Sequence, residues 1–376
     1  MAETVLITGG AGFLGRYVAH ALLARGDKVR VLDSLIEQVH GATKVLGGRP
    51  EELSREVELQ VADVRDEAAV KRALEGVDSV VHLAAEVGVG QSMYEIDRYT
   101  SVNELGTAVL FQKLIEKPVR RVVVASSMSI YGEGLYRTVD GEPDESIERD
   151  PERIGRGEWD PVDAQGRPVT PLPTPESKRG ALASVYAIGK FVQERMTLTV
   201  THAYGMEGAA LRLWNAYGPG QALSNPYTGV LAIFAARIAN GQSPMVFEDG
   251  RQRRDFVHAE DVARAFLLAL DRPEAVGRTY NIGSGVDRTV TEVAASLAKA
   301  MGREDIQPVI AGGMRKGDIR HCFPDLSAAE RDLGYKAQTD YDAGLAELAE
   351  WVARQQVDQD RVVEARRELE RRGLVA

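Results

Sequence analysis

The chain has 376 residues, a formal net charge of −10 and a pI near 5.3. This length allows two domains or one large domain with a satellite, and the acidity argues against nucleic acid or an anionic membrane surface as the main partner. The one cysteine, Cys322, excludes an intramolecular disulfide, and the six histidines show no metal-ligand spacing. No apolar run approaches the ~18 residues of a membrane span and the N-terminus leads straight into a strand, so we expect a cytoplasmic protein without a signal peptide.

The N-terminus has the pattern of a strand over residues 5–8, a glycine turn with Gly9, Gly12 and Gly15, and a helix over 13–23. Glycines at this spacing let the backbone approach a pyrophosphate, whose charge then sits against the N–H groups at the helix start. A tight turn alone would explain the glycines equally well. The strand before them and the helix after them are the context that a dinucleotide-binding fingerprint requires.

The acidic residue of that fingerprint is Asp33, at the end of the next strand over 29–33. A carboxylate at this position hydrogen-bonds a ribose 2′-hydroxyl and repels a 2′-phosphate, so Asp33 favours NAD over NADP. Lys28 and Arg30 lie nearby, and binding of a 2′-phosphate by these cations, which would favour NADP, is the alternative. Arg30 falls within the strand, however, which argues against it.

Three later strands end in residues suited to a ligand. The strand over 57–63 ends at Asp63, and the strand over 78–85 ends in small residues and includes His82, which we expect to be buried rather than catalytic. The strand beginning at residue 121 brings hydroxyls, including that of Ser127, to its carboxyl end, where open α/β sheets bind ligands. Ser127 is a candidate to hydrogen-bond a reacting oxygen, and a serine that merely ends a strand is the alternative.

Tyr186 and Lys190 form a Tyr-x-x-x-Lys pair. A free phenol has a pKa of about 10 and needs a nearby cation to act as a base at neutral pH. A lysine at i+4 lies on the same helical face and can supply that charge. Together with the glycine turn, the pair predicts oxidoreduction of an alcohol by a bound nicotinamide; a surface tyrosine beside a solvated lysine is the alternative.

In these motifs the chain resembles the extended short-chain dehydrogenase/reductase family, particularly its NAD-dependent nucleotide-sugar epimerases and dehydratases. The resemblance runs from residue 3 to about 350 and also includes Tyr131-Gly132 and the segments 211–221, 253–258 and 315–318. The whole-chain pattern is most similar to bacterial proteins assigned as dTDP-L-rhamnose 4-epimerases.

The resemblance implies a role for each matching position, with Ser127, Tyr186 and Lys190 as the catalytic set. It implies that NAD is bound by Gly9, Gly12, Phe13, Leu14, Gly15, Asp33, Asp63, Val64, Leu83, Ala84, Ala85, Asn103, Tyr186, Lys190 and Trp214. It implies that a nucleotide-diphosphate sugar is bound by Ser127, Asn215, Val230, Phe247, Arg254, Arg315 and Asp318. The planar fork of arginine pairs well with phosphate oxygens. No metal is implied.

Reaction type depends on the two residues after Ser127. Family dehydratases and decarboxylases carry acids there, whereas this chain has Met128 and Ser129. The resemblance therefore implies a 4-epimerase that works through a transient 4-keto sugar, possible substrates being dTDP-L-rhamnose and dTDP-6-deoxy-L-talose. A UDP-hexose or UDP-uronate 4-epimerase and an NDP-4-ketosugar reductase are the alternatives. A decarboxylase, a dehydratase and a non-catalytic nucleotide-binding protein are less favoured.

Alternating strands and helices predict an α/β fold, a Rossmann-type doubly wound parallel sheet with a smaller C-terminal substrate-binding lobe. We expect the NAD-binding domain over 1–215 with returns near 255–282, and the lobe mainly over 216–350. The proline- and glycine-rich insertion over about 135–179 is expected to be largely irregular, either a substrate-selecting flap or a neutral surface loop. Residues 351–376 are expected to form an exposed charged helix.

A homodimer is also implied, because family members commonly pair through two long helices, here about 95–116 and 184–204. The apolar positions that could line such a seam are Leu105, Val109, Leu110, Leu114, Val192, Met196 and Val200. The same spacing would serve packing against the sheet.

Overall fold

The computed structural model describes residues 2–40, 45–46, 48–223, 225, 227, 229–314, 318–355 and 362–375. Its centre is a seven-stranded sheet in which every pair of neighbours is parallel. The strands are β1 (Thr4–Thr8), β2 (Lys28–Asp33), β3 (Glu58–Val61), β4 (Ser79–His82), β5 (Arg121–Ser127), β6 (Glu207–Leu213) and β7 (Arg278–Ile282). Their order is β3-β2-β1-β4-β5-β6-β7. This confirms the predicted Rossmann-type sheet, with its ligand crevice expected where the order reverses beside β1.

Helices cover both faces of the sheet. In chain order they are α1 (Phe13–Arg25), α2 (Glu37–His40), α3 (Glu67–Ala73), α4 (Val89–Ser92), α5 (Ile96–Thr100), α6 (Gly106–Glu116), α7 (Pro151–Gly155), α8 (Val185–Ala203), α9 (Val230–Ala239), α10 (Ala259–Asp271), α11 (Val290–Ala300), α12 (Tyr341–Ala353) and α13 (Val362–Arg371). A π-helical turn, Ser101–Leu105, joins α5 to α6, and a second covers Ala329–Leu333; 3₁₀ turns cover Met128–Tyr131 and Pro273–Ala275.

The alternation of side chains along each strand decides which helices it contacts. In β1, Val5 and Ile7 are buried in one core with residues of α1 and α10, whereas Leu6 is buried in a second core with residues of α3 and α6. All seven residues of β5 are buried, because this central strand is covered on both faces.

Several side chains proposed for a dimer seam belong to this second core instead. Val109, Leu110 and Leu114 are buried in it, and Met196 and Val200 pack against it. The seam prediction is wrong for the three buried residues Val109, Leu110 and Leu114, because their helical spacing serves packing on the sheet. For Met196 and Val200, which are partly buried, it stays a prediction.

The remaining elements form a smaller layer with its own core, made chiefly by α9, α11 and α12. Short strands connect it to the main sheet. They are Asn215–Tyr217, Arg253–His258 and Asp287–Thr289 in one sheet, and Met245–Val246 with Val309–Ile310 in another. Both α10 and β7 pack in the main sheet layer, so the chain returns there after the strand over 253–258.

The insertion over 135–179 contains regular structure beside its loops. Strands Leu135–Arg137, Pro143–Asp144 and Thr170–Leu172 form an antiparallel sheet, and α7 begins at a proline after the capping residue Asp150. The backbone after this sheet is tied to the C-terminal part of the chain, since Thr174 N–H donates to the Phe323 carbonyl at 2.8 Å.

The charged C-terminal helix has exposed side chains at Arg367, Glu370 and Arg371, as expected, and also packs on its own chain through Leu369. The Leu369 side chain is 6% exposed and faces Gly90, and the Arg372 guanidinium lies 4.4 Å from the centre of the Tyr94 ring. In the part of the chain that the structure describes, no helix is both long and apolar enough to cross a bilayer.

Candidate active site

A cavity of about 920 Å³ opens at the carboxyl ends of β1, β2, β4 and β5. The glycine turn forms part of its wall, together with the first turn of α1. Gly9 has φ +70°, and a Cβ added there would lie 2.7 Å from the Ala84 backbone nitrogen; one added at Gly15 would lie 2.5 Å from Gly10 Cα. The turn therefore needs glycine both for its conformation and for its close approach to the loop after β4.

Fourteen of the fifteen residues predicted to contact the cofactor line this cavity. They are Gly9, Gly12, Phe13, Leu14, Gly15, Asp33, Asp63, Val64, Leu83, Ala84, Ala85, Tyr186, Lys190 and Trp214. Two buried polar atoms on the wall, Trp214 Nε1 and Gln221 Oε1, lack a hydrogen-bond partner among the described residues. Buried polar groups are normally paired, so these two atoms suit a polar ligand.

Asp33 lies on the cavity wall beside the glycine turn. Its Oδ2 accepts from the Ala11 N–H at 3.0 Å, and its Oδ1 accepts from the Leu35 N–H at 2.9 Å, with His40 Nε2 at 3.4 Å. These contacts fix the carboxylate where a ribose would bind. Arg30 forms an ion pair with Glu58 at 2.8 Å and donates to carbonyls beyond α3, so its guanidinium is used away from this wall.

Asn103 is the exception among the predicted cofactor residues, since it is buried behind the wall. Its Oδ1 accepts from the Glu86 N–H at 2.7 Å and its Nδ2 donates to the Glu86 carbonyl at 3.1 Å. Asn103 lies in the π-helical turn between α5 and α6. Its position supports the loop after β4, and a direct contact with the cofactor stays a prediction.

The three predicted catalytic residues meet at one end of the cavity. Ser127 ends β5, and its Oγ accepts hydrogen bonds from the Ser129 N–H at 3.1 Å and the Ser129 hydroxyl at 2.9 Å. The Ser127 side chain also acts on the Tyr186 phenol, whose pKa it lowers. Tyr186 lies in the first turn of α8, where its N–H donates to Ser92 Oγ at 3.1 Å. Two hydrogen-bonded serine side chains thus lie beside the phenol.

Burial dominates the electrostatics of this group. It raises the pKa of Tyr186, and the hydrogen bond with Ser127 acts in the opposite direction by stabilising the phenolate. Burial lowers the pKa of Lys190 to about 7, against the attraction of Glu194. The Lys190 ammonium donates to Gln193 Oε1 at 2.6 Å. In this arrangement Ser127 contacts the phenol directly, whereas Lys190 is held by Gln193.

His82 is fully buried, as expected for a residue without a catalytic role. Its Nδ1 lies 2.7 Å from Thr8 Oγ1 and its Nε2 lies 2.8 Å from Thr107 Oγ1. Burial lowers its pKa to about 3, so the ring is neutral at physiological pH.

The residues predicted to bind the sugar nucleotide are more scattered. Ser127 and Asn215 line the cavity, and Asn215 Nδ2 donates to the Asp255 carbonyl at 2.9 Å. Arg254 donates to the carbonyls of residues 253 and 320, each at 2.9 Å, and to that of Ile319, and its guanidinium lies 3.6 Å from Asp318.

Five predicted positions, Arg254 among them, lie away from the cavity wall or outside the described residues. Asp318 and Phe247 are half-buried near the Arg254 cluster, and Val230 begins α9 and packs partly on the core of the smaller layer. Arg315 lies outside the described residues. Contacts of these residues with a substrate stay predictions.

Sequence reasoning did not assign roles to several polar residues of the site. Glu86, on the cavity wall, pairs with Arg98 at 2.8 Å. Arg16, also on the wall, pairs with Glu52; burial lowers its pKa to about 10, so it remains a cation at neutral pH. Arg16 directly follows the third glycine of the turn, and this position could have predicted its place on the cavity wall. The residues next to Glu86 in the sequence, in contrast, do not indicate that it pairs with Arg98.

A parallel sheet with a glycine turn and a Tyr–Lys pair at one cavity defines a Rossmann-fold enzyme of the nicotinamide-dependent kind. The chain belongs to the NAD dependent epimerase/dehydratase family, whose model matches residues 5–153 and 165–283. The break in that match falls within the insertion.

Individual relatives agree with this assignment. The chain is 35% identical to dTDP-L-rhamnose 4-epimerase of Burkholderia thailandensis, over 94% of this chain and 96% of that protein. It resembles the crystal structure of a Thermotoga maritima UDP-glucose 4-epimerase with UDP-glucose, with a TM-score of 0.75, 29% identity and coverage of 93% and 98% of the two chains. It also resembles the Thermus thermophilus UDP-glucose 4-epimerase complex with NAD, with a TM-score of 0.71, 28% identity and coverage of 94% and 100%.

Proposed function

We propose that this protein is an NAD-dependent nucleotide-sugar 4-epimerase and that its substrates are dTDP-L-rhamnose and dTDP-6-deoxy-L-talose. The observation that carries the reaction type is the hydrogen-bonded pair of Ser129 and Ser127 beside Tyr186 on the cavity wall, with no acid at positions 128 and 129. The substrate pair is supported by the 35% identity to the Burkholderia thailandensis enzyme across nearly the whole chain.

The cavity fits NAD on the grounds of its own chemistry. The glycine turn leaves space that a Cβ would fill, Asp33 presents a carboxylate, and the Trp214 N–H lacks a partner among the described residues. NAD bound there would take a hydride from carbon 4 of the sugar and later return it.

Tyr186 is the base in this proposal, and it takes the proton of the hydroxyl on carbon 4. Ser127 accepts from both hydrogen-bond donors of Ser129, which leaves its own hydrogen for the substrate oxygen or the phenolate. It can therefore stabilise negative charge on either atom as the proton moves. Lys190 supplies a buried positive charge one helical turn from Tyr186.

Epimerisation further requires that the 4-keto sugar turn over and accept the hydride on its opposite face. Met128 and Ser129 line the cavity here, and neither side chain is an acid at neutral pH. Elimination of water from the keto sugar would need such a group, so the site favours return of the hydride at carbon 4 over dehydration.

A UDP-hexose or UDP-uronate 4-epimerase is the second candidate for the substrate. The observation favouring it is the similarity to the Thermotoga maritima enzyme solved with UDP-glucose. A direct comparison of turnover with dTDP-L-rhamnose, UDP-glucose and UDP-glucuronate separates these candidates. Our proposal requires the highest kcat/KM for dTDP-L-rhamnose.

Isotope labelling tests the reaction type. Deuterium placed on carbon 4 should remain there while the two sugar nucleotides interconvert, without added cofactor and without net NADH absorbance. An NDP-4-ketosugar reductase would instead consume NADH with a keto sugar. Deuterium loss to solvent, or strict dependence on added NADH, would refute the epimerase.

We also propose that the enzyme is a homodimer that pairs through the outer faces of the helices over 95–116 and 184–204. Three large apolar side chains on them are exposed: Ile96 at 54%, Leu105 at 53% and Ile188 at 42%. Exposed apolar groups on adjacent helices suit a contact between copies. Light scattering should give a mass near twice 41.0 kDa, and Leu105→Glu should shift it to the monomer; a monomeric parent protein would refute this proposal.

A further inference from the structure

A buried charge cluster joins the insertion to the part of the site expected to bind the nucleotide. Arg149 comes from the insertion, yet its side chain is only 5% exposed. Its Nε lies 3.0 Å from Glu133 Oε1 and its Nη1 lies 2.5 Å from Glu248 Oε1, and these carboxylate side chains are 9% and 1% exposed. Its Nη2 donates to the Asp318 carbonyl. One guanidinium thus connects three segments that are distant in sequence.

Each of these segments leads to a predicted substrate contact. Glu133 follows the 3₁₀ turn that begins after its capping residue Ser127, and Glu248 directly follows Phe247. The third segment, 318–320, is held from a second side by Arg254, which donates to the carbonyls of residues 319 and 320. Arg149 therefore holds the Asp318 carbonyl, and Arg254 holds the carbonyls of the two residues that follow, so the two guanidinium groups bind adjacent parts of one segment.

Two features indicate that this cluster serves more than stability. Removing charges from water is costly, and a buried ion pair is often no more stabilising than apolar packing of the same volume. Glu248 also has a φ of +54°, a conformation unfavourable for a residue with a side chain. Such strain persists where surrounding contacts enforce it, and it concentrates at ligand sites. Arg149 and Arg320, which lies 2.9 Å from Glu248 Oε2, are those contacts.

We propose that Arg149 is a positioning residue for nucleotide-diphosphate binding. It holds the 247–249 and 318–320 segments in the arrangement that presents Arg254 to the diphosphate. It also neutralises Glu133 and, together with Arg320, Glu248, two carboxylates that would otherwise repel that anion. The insertion is then a fixed part of the nucleotide site, not a neutral surface loop. This inference rests on the proposed function, because it takes the ligand to be a nucleotide-diphosphate sugar.

The test compares binding of free dTDP and UDP, measured by calorimetry, with the kinetics of the nucleotide sugar. Arg149→Met should raise both Kd and KM at least tenfold and leave kcat within twofold and bound NAD unchanged. Because that variant removes the ion pair of Glu133 and leaves Glu248 paired with Arg320, Arg149→Met with Glu133→Gln provides a second form without the unpaired charge and with the same expected rise. Arg149→Lys keeps the charge but cannot reach three partners, and should give an intermediate Kd.

Arg156→Met is the matched control, because Arg156 lies in the same insertion but is 56% exposed and pairs with Glu158 at the surface. It should bind dTDP and UDP as the parent protein does. The proposal is overturned if a folded Arg149 variant, single or double, binds both nucleotides within twofold of the parent, or if the parent binds neither. Binding without any epimerisation by the parent would instead refute the proposed function, so the two failures are distinguishable.

Discussion

Replacing Gly9 by alanine should disrupt the cofactor site more than the addition of a single methyl group suggests. At φ +70° an alanine costs about 1–2 kcal/mol in backbone conformation. The new Cβ would also lie 2.7 and 2.8 Å from the backbone nitrogen and Cα of Ala84, atoms that cannot rotate away. Forcing such an overlap apart costs about 1–3 kcal/mol, so the total loss of stability is about 2–5 kcal/mol.

The displaced atoms belong to the cavity wall, so Gly9→Ala should also lose bound NAD. The assay is urea unfolding together with mass spectrometry of NAD released from the denatured protein. Gly26→Ala is the control, because Gly26 has φ +94° but no atom within 4 Å of an added Cβ. It should lose only the backbone cost of about 1–2 kcal/mol and keep its NAD. Equal stability loss and equal NAD content in the two variants would refute the steric argument.

Three further outcomes are expected. Tyr186→Phe should leave the fold and bound NAD intact and lower kcat by about 10²–10⁴, because the proton acceptor is lost; near-normal turnover would exclude this role. Asp33→Ala should weaken NAD binding and reduce discrimination against NADP, as competition binding would show, whereas unchanged discrimination would make Asp33 a mere strand end. His82, with its folded pKa of about 3, binds its proton more weakly than in the unfolded chain, so stability should fall as pH drops below 6.5. Between pH 6.5 and 5, His82 should account for a loss of about 2 kcal/mol in the free energy of unfolding. Denaturant titrations at the two pH values should show this loss in the parent protein and not in His82→Asn.

What the sequence predicted well is what depends on local spacing. The glycine turn, the strand ends and the Tyr186–Lys190 pair are each set by residues within one βα unit or one helix, and the fold then brings them to the same edge of the sheet. Helical spacing alone could not decide which face of a helix is buried. It therefore placed Val109 and Leu114 at a dimer seam, although both pack in the core.

Long-range polar partners could not be predicted for a different reason. Arg149 and Glu248 are 99 residues apart, and nothing in the neighbourhood of either indicates the other. The π-helical turn that directs Asn103 towards the Glu86 backbone likewise has no simple sequence signature. Such contacts depend on how the insertion and the smaller layer pack on the main sheet.

The contacts of Lys190 differ from those that the Tyr-x-x-x-Lys motif suggested. The spacing of Tyr186 and Lys190 suggested that the ammonium lowers the pKa of the phenol directly. In the structure burial raises the pKa of Tyr186, Ser127 provides the opposing hydrogen bond, and Lys190 is held by Gln193 at 2.6 Å. Gln193 is itself fixed, since its Nε2 donates to Thr107 Oγ1 at 2.9 Å. In the proposed reaction Ser127 therefore offsets the effect of burial on the phenol, and the lysine is a buried charge whose own pKa, lowered to about 7, would make its contribution sensitive to pH near neutrality.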